Sequence, residues 1–170
     1  MNSLDVTQTI KTDVNRREGK YLMFSLGKEE YGIVILKIKE IIGMMPVTSV
    51  PQTPSFVKGV INLRGKVIPI IDLRLRFNMD SEEYNDRTCI IVVEIAHNSV
   101  NIIMGVVVDS VSEVATIKEE DIENTPAFGT KLKTDYILGM AKLEGRVKIL
   151  LDIDKVLSKE EMEILNNNTL

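Results

Sequence analysis

Two aspartates, Asp72 and Asp152, are the first residues whose type could support catalysis, because paired carboxylates are the usual groups of hydrolytic acid/base chemistry. Each follows an apolar run, IPII before Asp72 and KILL before Asp152. An aspartate in this position typically accepts hydrogen bonds from backbone N–H groups of the next turn. Their matching positions in two similar segments therefore favour two structural caps over a catalytic pair.

The single histidine and the single cysteine are the other candidate reactive residues. His97 lies in a polar AHNS turn with no triad motif near it, and Cys89 lies in an apolar run, where a free cysteine acts as a small hydrophobic residue. One of each cannot form a disulfide or a Cys/His zinc site. The glycines do not follow a phosphate-loop spacing. We therefore expect no catalytic activity, no metal and no cofactor, and a reducing compartment.

The composition further restricts the class of protein to which the chain can belong. The chain has 170 residues, 44% of them hydrophobic and 27% charged, which is typical of one ordinary globular domain. The net charge is −4, the Lys and Arg residues are dispersed, aromatic residues make up 5%, and Trp is absent. These features disfavour nucleic-acid binding. Neither a signal peptide nor an apolar run of about 20 residues is present, which predicts a cytoplasmic protein with no direct membrane insertion.

The elements that must carry these residues are short apolar runs separated by Gly, Asn or charged turns, a pattern typical of a mostly β protein. Four hairpins are predicted, over residues 21–35, 60–72, 88–109 and 137–152. Asp154 or Ser158 is expected to begin a short C-terminal helix. The predicted organisation is a loose arm over 1–19, one domain over 20–157 and a helical tail over 158–170.

An internal repeat is the strongest signal that the residues themselves provide. Residues 57–77 align without a gap on residues 137–157, with identical residues that include Gly65/Gly145 and Asp72/Asp152, and residues 31–42 align on 104–115. Two lobes are predicted, over about 20–86 and 87–157. Strands such as 68–71 are apolar at consecutive positions, so both of their faces must be covered. We therefore predict two small β-barrels side by side, with one hydrophobic layer between them.

Positions that break the repeat are candidates for function. Arg64 is opposite Glu144, whereas Glu40 is opposite Glu113, so only the first lobe can form an Arg64–Glu40 ion pair. The segment MMPVTSVPQTP at 44–54 has no counterpart, and its apolar residues lie where a surface loop is expected. An exposed apolar patch usually marks a partner site. The alternative is that this loop packs down as part of the core.

At this point the chain resembles the CheW family of bacterial chemotaxis coupling proteins. The resemblance covers about residues 20–157 and is carried by GVINLRGKVIPIIDLR at 59–74, EII at 40–42, PVTSVP at 46–51 and LEGRVKILLDIDK at 143–155. The same module also occurs in the chemotaxis kinase CheA and the adaptor CheV. The sequence contains neither a kinase core nor a receiver domain, which favours the free-standing adaptor.

The resemblance implies two SH3-like five-stranded barrels around a shared core, no catalytic activity, and a monomer that joins chemoreceptor tips to the CheA regulatory domain in large arrays. Alternatives are a CheW-like adaptor of another two-component pathway or an oligonucleotide-binding barrel. The receptor is expected in the groove between the lobes, at Ile33, Ile35, Ile38, Glu40, Arg64, Val106 and Val108. The kinase is expected at Met44, Met45, Val47, Val50, Pro51, Phe56 and Gly59.

Overall fold

The computed structural model describes residues 17–126 and 134–168, and this part of the chain is dominated by strands. The strands are β1 (Gly19–Leu26), β2 (Glu29–Val34), β3 (Ile38–Gly43), β4 (Val57–Leu63), β5 (Lys66–Asp72), β6 (Cys89–His97), β7 (Val100–Val108), β8 (Ser110–Ile117), β9 (Ile122–Glu123), β10 (Ile137–Leu143) and β11 (Arg146–Leu151). The helices are α1 (Leu73–Arg76) and α2 (Lys159–Asn168), with short 3-10 turns at Ile35–Lys37, Glu119–Asp121 and Ile153–Lys155.

These strands form two sheets, each curled around its own apolar cluster. The five-stranded sheet has the order β3-β6-β7-β5-β4 and is called barrel 1, and the six-stranded sheet has the order β8-β1-β2-β11-β10-β9 and is called barrel 2. All strands of barrel 1 contribute to a cluster that includes Ile61, Ile68 and Val92. All strands of barrel 2 contribute to a second cluster that includes Tyr21 and Leu150. The predicted fold class is confirmed, although the short β9 gives barrel 2 a sixth strand.

The two sheets exchange hairpins between the repeats, which differs from the predicted division at residues 86 and 87. The β1–β2 hairpin of the first repeat lies parallel to β11 of the second, through pairs such as Gly32 with Leu150. Reciprocally, the β6–β7 hairpin of the second repeat lies parallel to β5 of the first, through pairs such as Gly105 with Ile70. The alternation of apolar residues fixes which face of a strand is buried but leaves its neighbour open. Each barrel therefore combines strands from both repeats.

A third and larger cluster, the shared core, fills the space between the barrels. It combines Phe24 and Ile33 of barrel 2 with Ile71 and Ile91 of barrel 1, and Leu165 of α2 packs into it. In β5, Ile70 faces the barrel 1 cluster and the adjacent Ile71 faces the shared core. This two-sided burial explains the continuous apolar run in the sequence and confirms the predicted layer between the barrels.

An ion pair also joins the two sheets. Arg74 of α1 holds Asp109 with two contacts, Nε to Oδ1 at 2.7 Å and an amino nitrogen to Oδ2 at 2.5 Å. Asp109 Oδ2 accepts a further hydrogen bond of 2.8 Å from the backbone N–H of Gly27, in the β1–β2 turn. The carboxylate therefore links α1, which follows barrel 1, to a turn of barrel 2. A bidentate guanidinium contact of this kind fixes orientation as well as adding energy.

The predicted hairpins are all present, and the C-terminal helix begins where a capping motif predicts it. Ser158 Oγ accepts a hydrogen bond of 3.1 Å from the Glu161 N–H, and the Glu161 carboxylate accepts one of 2.7 Å from the Ser158 N–H. The strand β8, the short β9 and α1 were not predicted. Residues 1–16 of the predicted arm lie outside the described residues.

Candidate partner-binding surfaces

The open end of barrel 1 forms a groove of about 360 Å³, called here the barrel 1 mouth. Its floor is apolar and its rim is charged. The floor residues are Leu63, Ile68, Val92 and Ile103, and the rim residues are Lys39, Glu40, Arg64 and Lys66. An apolar floor with a few placed polar groups is the usual form of a site for one anchoring side chain.

The predicted ion pair lies on this rim. An amino nitrogen of Arg64 donates to Glu40 Oε1, which confirms that the structure brings these two residues together. The Arg64 side chain is 70% exposed and that of Glu40 is 30% exposed. Arg64 occupies a two-residue turn between β4 and β5, with φ of 51° followed by 86° at Gly65. Both values are positive, as a type I′ hairpin turn requires, so the turn itself aims the guanidinium across the mouth.

The apolar loop, residues 44–56, lies beside β4 and is partly packed against barrel 1. Met44, Met45 and Val47 pack against the barrel 1 cluster and are half-buried. Val50 is half-buried, Pro51 is exposed, and Thr53 Oγ1 donates to the Val50 carbonyl at 2.9 Å. The segment was expected either to form an exposed partner site or to pack as part of the core. Its first half packs against barrel 1 and its tip faces solvent, so each expectation holds for one part of the loop.

Two residues predicted to contact the kinase have structural roles. Phe56 is buried in the shared core, and the Arg76 guanidinium lies 5.5 Å from the centre of its ring. Gly59 is buried with φ of +142°, and a Cβ built there would lie 2.0 Å from the Thr48 carbonyl oxygen. Glycine is needed at this point because the backbone of the apolar loop crosses directly over β4. These two residues hold the loop in place and present no side chain at the surface.

Three residues predicted to contact the receptor are also placed elsewhere by the structure. Ile33, Val106 and Val108 are buried in the shared core, since the space between the barrels is filled. Ile35 and Ile38 are half-buried against the same cluster. Ile33, Val106 and Val108 are therefore covered in the free chain, whereas Glu40 and Arg64 lie at the barrel 1 mouth.

The sequence reasoning did not single out Leu36, in the turn between β2 and β3. At 90% exposure it is the most exposed large apolar residue in the described part of the chain. An ion pair flanks it, with Lys37 Nζ 2.7 Å from Asp154 Oδ2. A comparison of the repeats could have identified Leu36, because the residue aligned with it is Asp109, whose carboxylate forms the ion pair with Arg74. A large apolar side chain opposite a structural charge marks a difference between the repeats.

The candidate catalytic aspartates are caps. Asp72 Oδ1 accepts a hydrogen bond of 3.3 Å from the Leu75 N–H at the start of α1, and Tyr84 donates its hydroxyl to Oδ2 at 2.8 Å. Asp152 Oδ1 accepts one of 3.2 Å from the Asp154 N–H. Burial, followed by the nearby Asp154 charge, raises the pKa of Asp152. The interpretation of the pair as structural caps is confirmed by these contacts.

The other two candidate reactive residues, His97 and Cys89, also have structural surroundings. His97 Nε2 lies 3.0 Å from Glu163 Oε1 of α2, so this histidine contacts the C-terminal helix, whereas a solvated turn residue was predicted. Burial raises the pKa of the Cys89 thiol, which disfavours a thiolate nucleophile. Within residues 17–126 and 134–168, no group of three or more His, Cys, Asp or Glu side chains could hold a metal ion.

In the described part of the chain, none of the helices has the length and hydropathy needed to cross a membrane.

Comparisons with known proteins agree with this architecture. The sequence model of the CheW-like domain matches residues 20–161. The chain is 45% identical over 148 residues to the chemotaxis protein CheW of Klebsiella aerogenes, covering 87% of each protein. It is 37% identical over 145 residues to the chemotaxis protein CheW of Bacillus subtilis, covering 85% of this chain and 90% of that protein.

Among solved structures, the chain resembles the crystal structure of the scaffolding protein TtCheW from Thermoanaerobacter tengcongensis. The TM-score is 0.73 at 35% sequence identity, and the match covers 85% of this chain and 97% of that one. A similarity of this extent includes both barrels and the connections between them.

Proposed function

The chain belongs to the CheW family of chemotaxis proteins, and from that premise we propose that it couples chemoreceptors to the histidine kinase CheA through two separate surfaces of barrel 1. In this role it is a chemotaxis adaptor without catalytic activity, held in the cytoplasm near the membrane by its protein partners. The observation that carries the proposal is that the barrel 1 mouth and the tip of the apolar loop are distinct surfaces.

The barrel 1 mouth suits the receptor. Receptor tips are helical hairpins, and a helix presents apolar anchors at intervals of one turn to an apolar groove. Lys39 pairs with Glu94 at 2.8 Å and Arg64 pairs with Glu40, so Lys66 gives the rim one net positive charge. The mouth therefore favours an apolar anchor beside an acidic group. Leu36 lies on the turn that leads into β3 and offers a second apolar contact. Ile35 and Ile38 support this edge from beneath.

The tip of the apolar loop suits the kinase. Val50 and Pro51 form an apolar tip, and Met44, Met45 and Val47 anchor it to the barrel. A partly exposed apolar centre surrounded by polar groups is the usual form of a reversible protein contact. Phe56 and Gly59 contribute by fixing the loop, and the backbone pairing of Thr48 with Val60 holds its middle.

The experiment measures both affinities on matched variants. We expect Arg64→Ala to weaken binding of a receptor cytoplasmic fragment and to leave CheA binding unchanged, since Arg64 lies on the mouth. Val50→Glu should do the reverse, because it places a charge at an apolar contact. The controls are Glu144→Ala, which occupies the equivalent turn of barrel 2, and Val114→Glu, an exposed apolar position on β8.

Wild-type affinities for both partners in folded Arg64→Ala and Val50→Glu would contradict the assignment of the two surfaces. Equal losses in the control variants would contradict it as well, because barrel 2 would then contribute as much as barrel 1. Melting curves of all four variants separate a loss of binding from a loss of folding.

A further inference from the structure

Two elements lie outside the internal repeat, and the structure brings them together. The apolar loop has no counterpart in the alignment of the repeats, and residues 79–88, which correspond to α2 when the alignment is extended, contain no helix. The two elements meet at a crevice lined by Val50 and Thr53 of the loop, by residues of β4 and β5, and by Leu165 of α2. A contact between two departures from the repeat is a candidate for function.

Leu165 fills the space beside the second half of the apolar loop. Its side chain is 3% exposed and packs into the shared core, as does that of Met162 one helical turn earlier. The crevice beside Leu165 has about 10 Å³ of free volume, which is about the least that can hold one water molecule. Because the packing is this close, truncation of Leu165 would leave a void into which the loop could move.

Charged contacts set the position of α2 relative to the loop. Glu161 Oε1 lies 3.3 Å from a guanidinium nitrogen of Arg76, and that guanidinium lies 5.5 Å from the centre of the Phe56 ring, at the end of the loop. Glu163 Oε1 lies 3.0 Å from Nε2 of His97, at the end of β6. The helix is therefore fixed both to α1 and to the β6–β7 hairpin, and these contacts determine where its buried face meets the loop.

We propose that Leu165 is a positioning residue for kinase binding, through which α2 holds the tip of the apolar loop in the conformation that CheA binds. This inference rests on the proposed function, because it takes the tip to be the kinase contact. Leu165 is buried, so it acts on CheA through Val50 and Thr53, which line the same crevice. A loop that is ordered before association loses less conformational entropy on binding, and a loop that samples other conformations binds more weakly.

The test compares two truncations on the same helix. Leu165→Ala removes the contact with the loop, and Met162→Ala is its control, because Met162 is equally buried but lines a different groove, beside His97 and Tyr136. Leu165→Met is the conservative variant, since it nearly keeps the side-chain volume. Calorimetric titration with CheA measures affinity below the melting temperature of each variant, and hydrogen–deuterium exchange of the free chains measures the order of residues 48–57.

We expect Leu165→Ala to lower CheA affinity about tenfold, which corresponds to about 1.4 kcal/mol, and to speed exchange over residues 48–57. Leu165→Met should restore both. Met162→Ala should lower the melting temperature but keep the wild-type affinity and the wild-type exchange of the loop. In a Val50→Ala background, Leu165→Ala should reduce affinity by a smaller factor than in the wild type, because the two residues act as a unit.

A folded Leu165→Ala variant with wild-type affinity would overturn the inference. Equal losses of affinity in Leu165→Ala and Met162→Ala would also overturn it, because the helix would then act only through overall stability. If Leu165→Ala fails to fold, the smaller truncation Leu165→Val decides by the same measurements. Val50→Glu separates the two levels of the argument. If it leaves CheA binding unchanged, the proposed function fails and the inference with it; if it weakens binding while Leu165→Ala does not, the inference alone fails.

Discussion

Replacing Gly59 by alanine tests how the apolar loop is held over barrel 1. A Cβ at this position would lie 2.0 Å from the Thr48 carbonyl oxygen, 2.7 Å from the Thr48 carbonyl carbon and 3.0 Å from the Ser49 Cα. All three are backbone atoms, so no side-chain rotation can relieve the overlap. We expect Gly59→Ala to push residues 48 and 49 away from β4.

The magnitude follows from what this movement breaks. Thr48 and Val60 exchange two backbone hydrogen bonds, of 2.8 Å and 2.9 Å, whose loss costs about 1 kcal/mol each. Alanine at a φ of +142° adds strain of about 1–3 kcal/mol. The free energy of unfolding should therefore fall by about 3–5 kcal/mol, and for a chain of this size each kcal/mol lowers the melting temperature by about 2–4 °C.

Thermal denaturation followed by circular dichroism measures this effect, and the chain provides matched controls. Gly43→Ala adds a methyl group where no other atom lies within 4 Å, and its φ is not in the left-handed region, so it should melt like the wild type. Gly65→Ala also meets no atom within 4 Å but has a φ of +86°, so it isolates the strain contribution. Because the loop tip is moved as well, Gly59→Ala should weaken CheA binding although residue 59 is buried.

A melting temperature for Gly59→Ala equal to that of Gly43→Ala would refute the reasoning, because the loop would then move at no cost. A lowered melting temperature with unchanged CheA affinity would support the packing argument but contradict the role of the loop in binding.

Three further predictions address charged groups. Arg64→Ala should lower the free energy of unfolding by at most about 1 kcal/mol, because the pair with Glu40 is exposed, and the swap Glu40→Arg with Arg64→Glu should recover receptor affinity in titrations. Arg74→Met should cost about 2–3 kcal/mol in urea denaturation, since it leaves the half-buried Asp109 without its bidentate partner. Lys148 lowers the pKa of Glu30 from 4.5, so this carboxylate stabilises the fold above that pH and loses its contribution as the pH falls through its folded-state pKa. In a urea series, the difference in unfolding free energy between wild type and Glu30→Gln should therefore shrink from about pH 6 to about pH 3. A difference that stays constant with pH would contradict the Lys148–Glu30 pair.

Local structure was the most predictable part of this protein. The paired turns at Gly65 and Gly145 were identified because a two-residue hairpin loop needs positive φ, and both positions have it. The caps at Asp72 and Asp152 were identified because a short carboxylate after a strand reaches the next backbone N–H groups. The Arg64–Glu40 contact followed from comparing the repeats. In each case the information lies within a few residues or within one aligned pair.

Non-local pairing and burial depth were not predictable from the same patterns. The sequence shows that Ile33, Val106 and Val108 are apolar. It does not show that the shared core fills the space between the barrels. The barrel that the β1–β2 and β6–β7 hairpins join was also not predictable, since a strand with two buried faces fits either sheet. The Lys148–Glu30 pair was not predictable for the same reason, because it joins β11 to β2 across their parallel pairing.

The exchange of hairpins between the repeats limits how this architecture could have arisen. In a half-length chain with one repeat, the β1–β2 hairpin would lack the β10–β11 hairpin beside which it lies here. Two such chains could complete both sheets by giving each other one hairpin, as in a domain-swapped homodimer. Fusion of the genes would then remove the dependence of folding on protein concentration and leave each repeat free to diverge. Such divergence would allow the aligned positions 64 and 144 to carry an arginine and a glutamate.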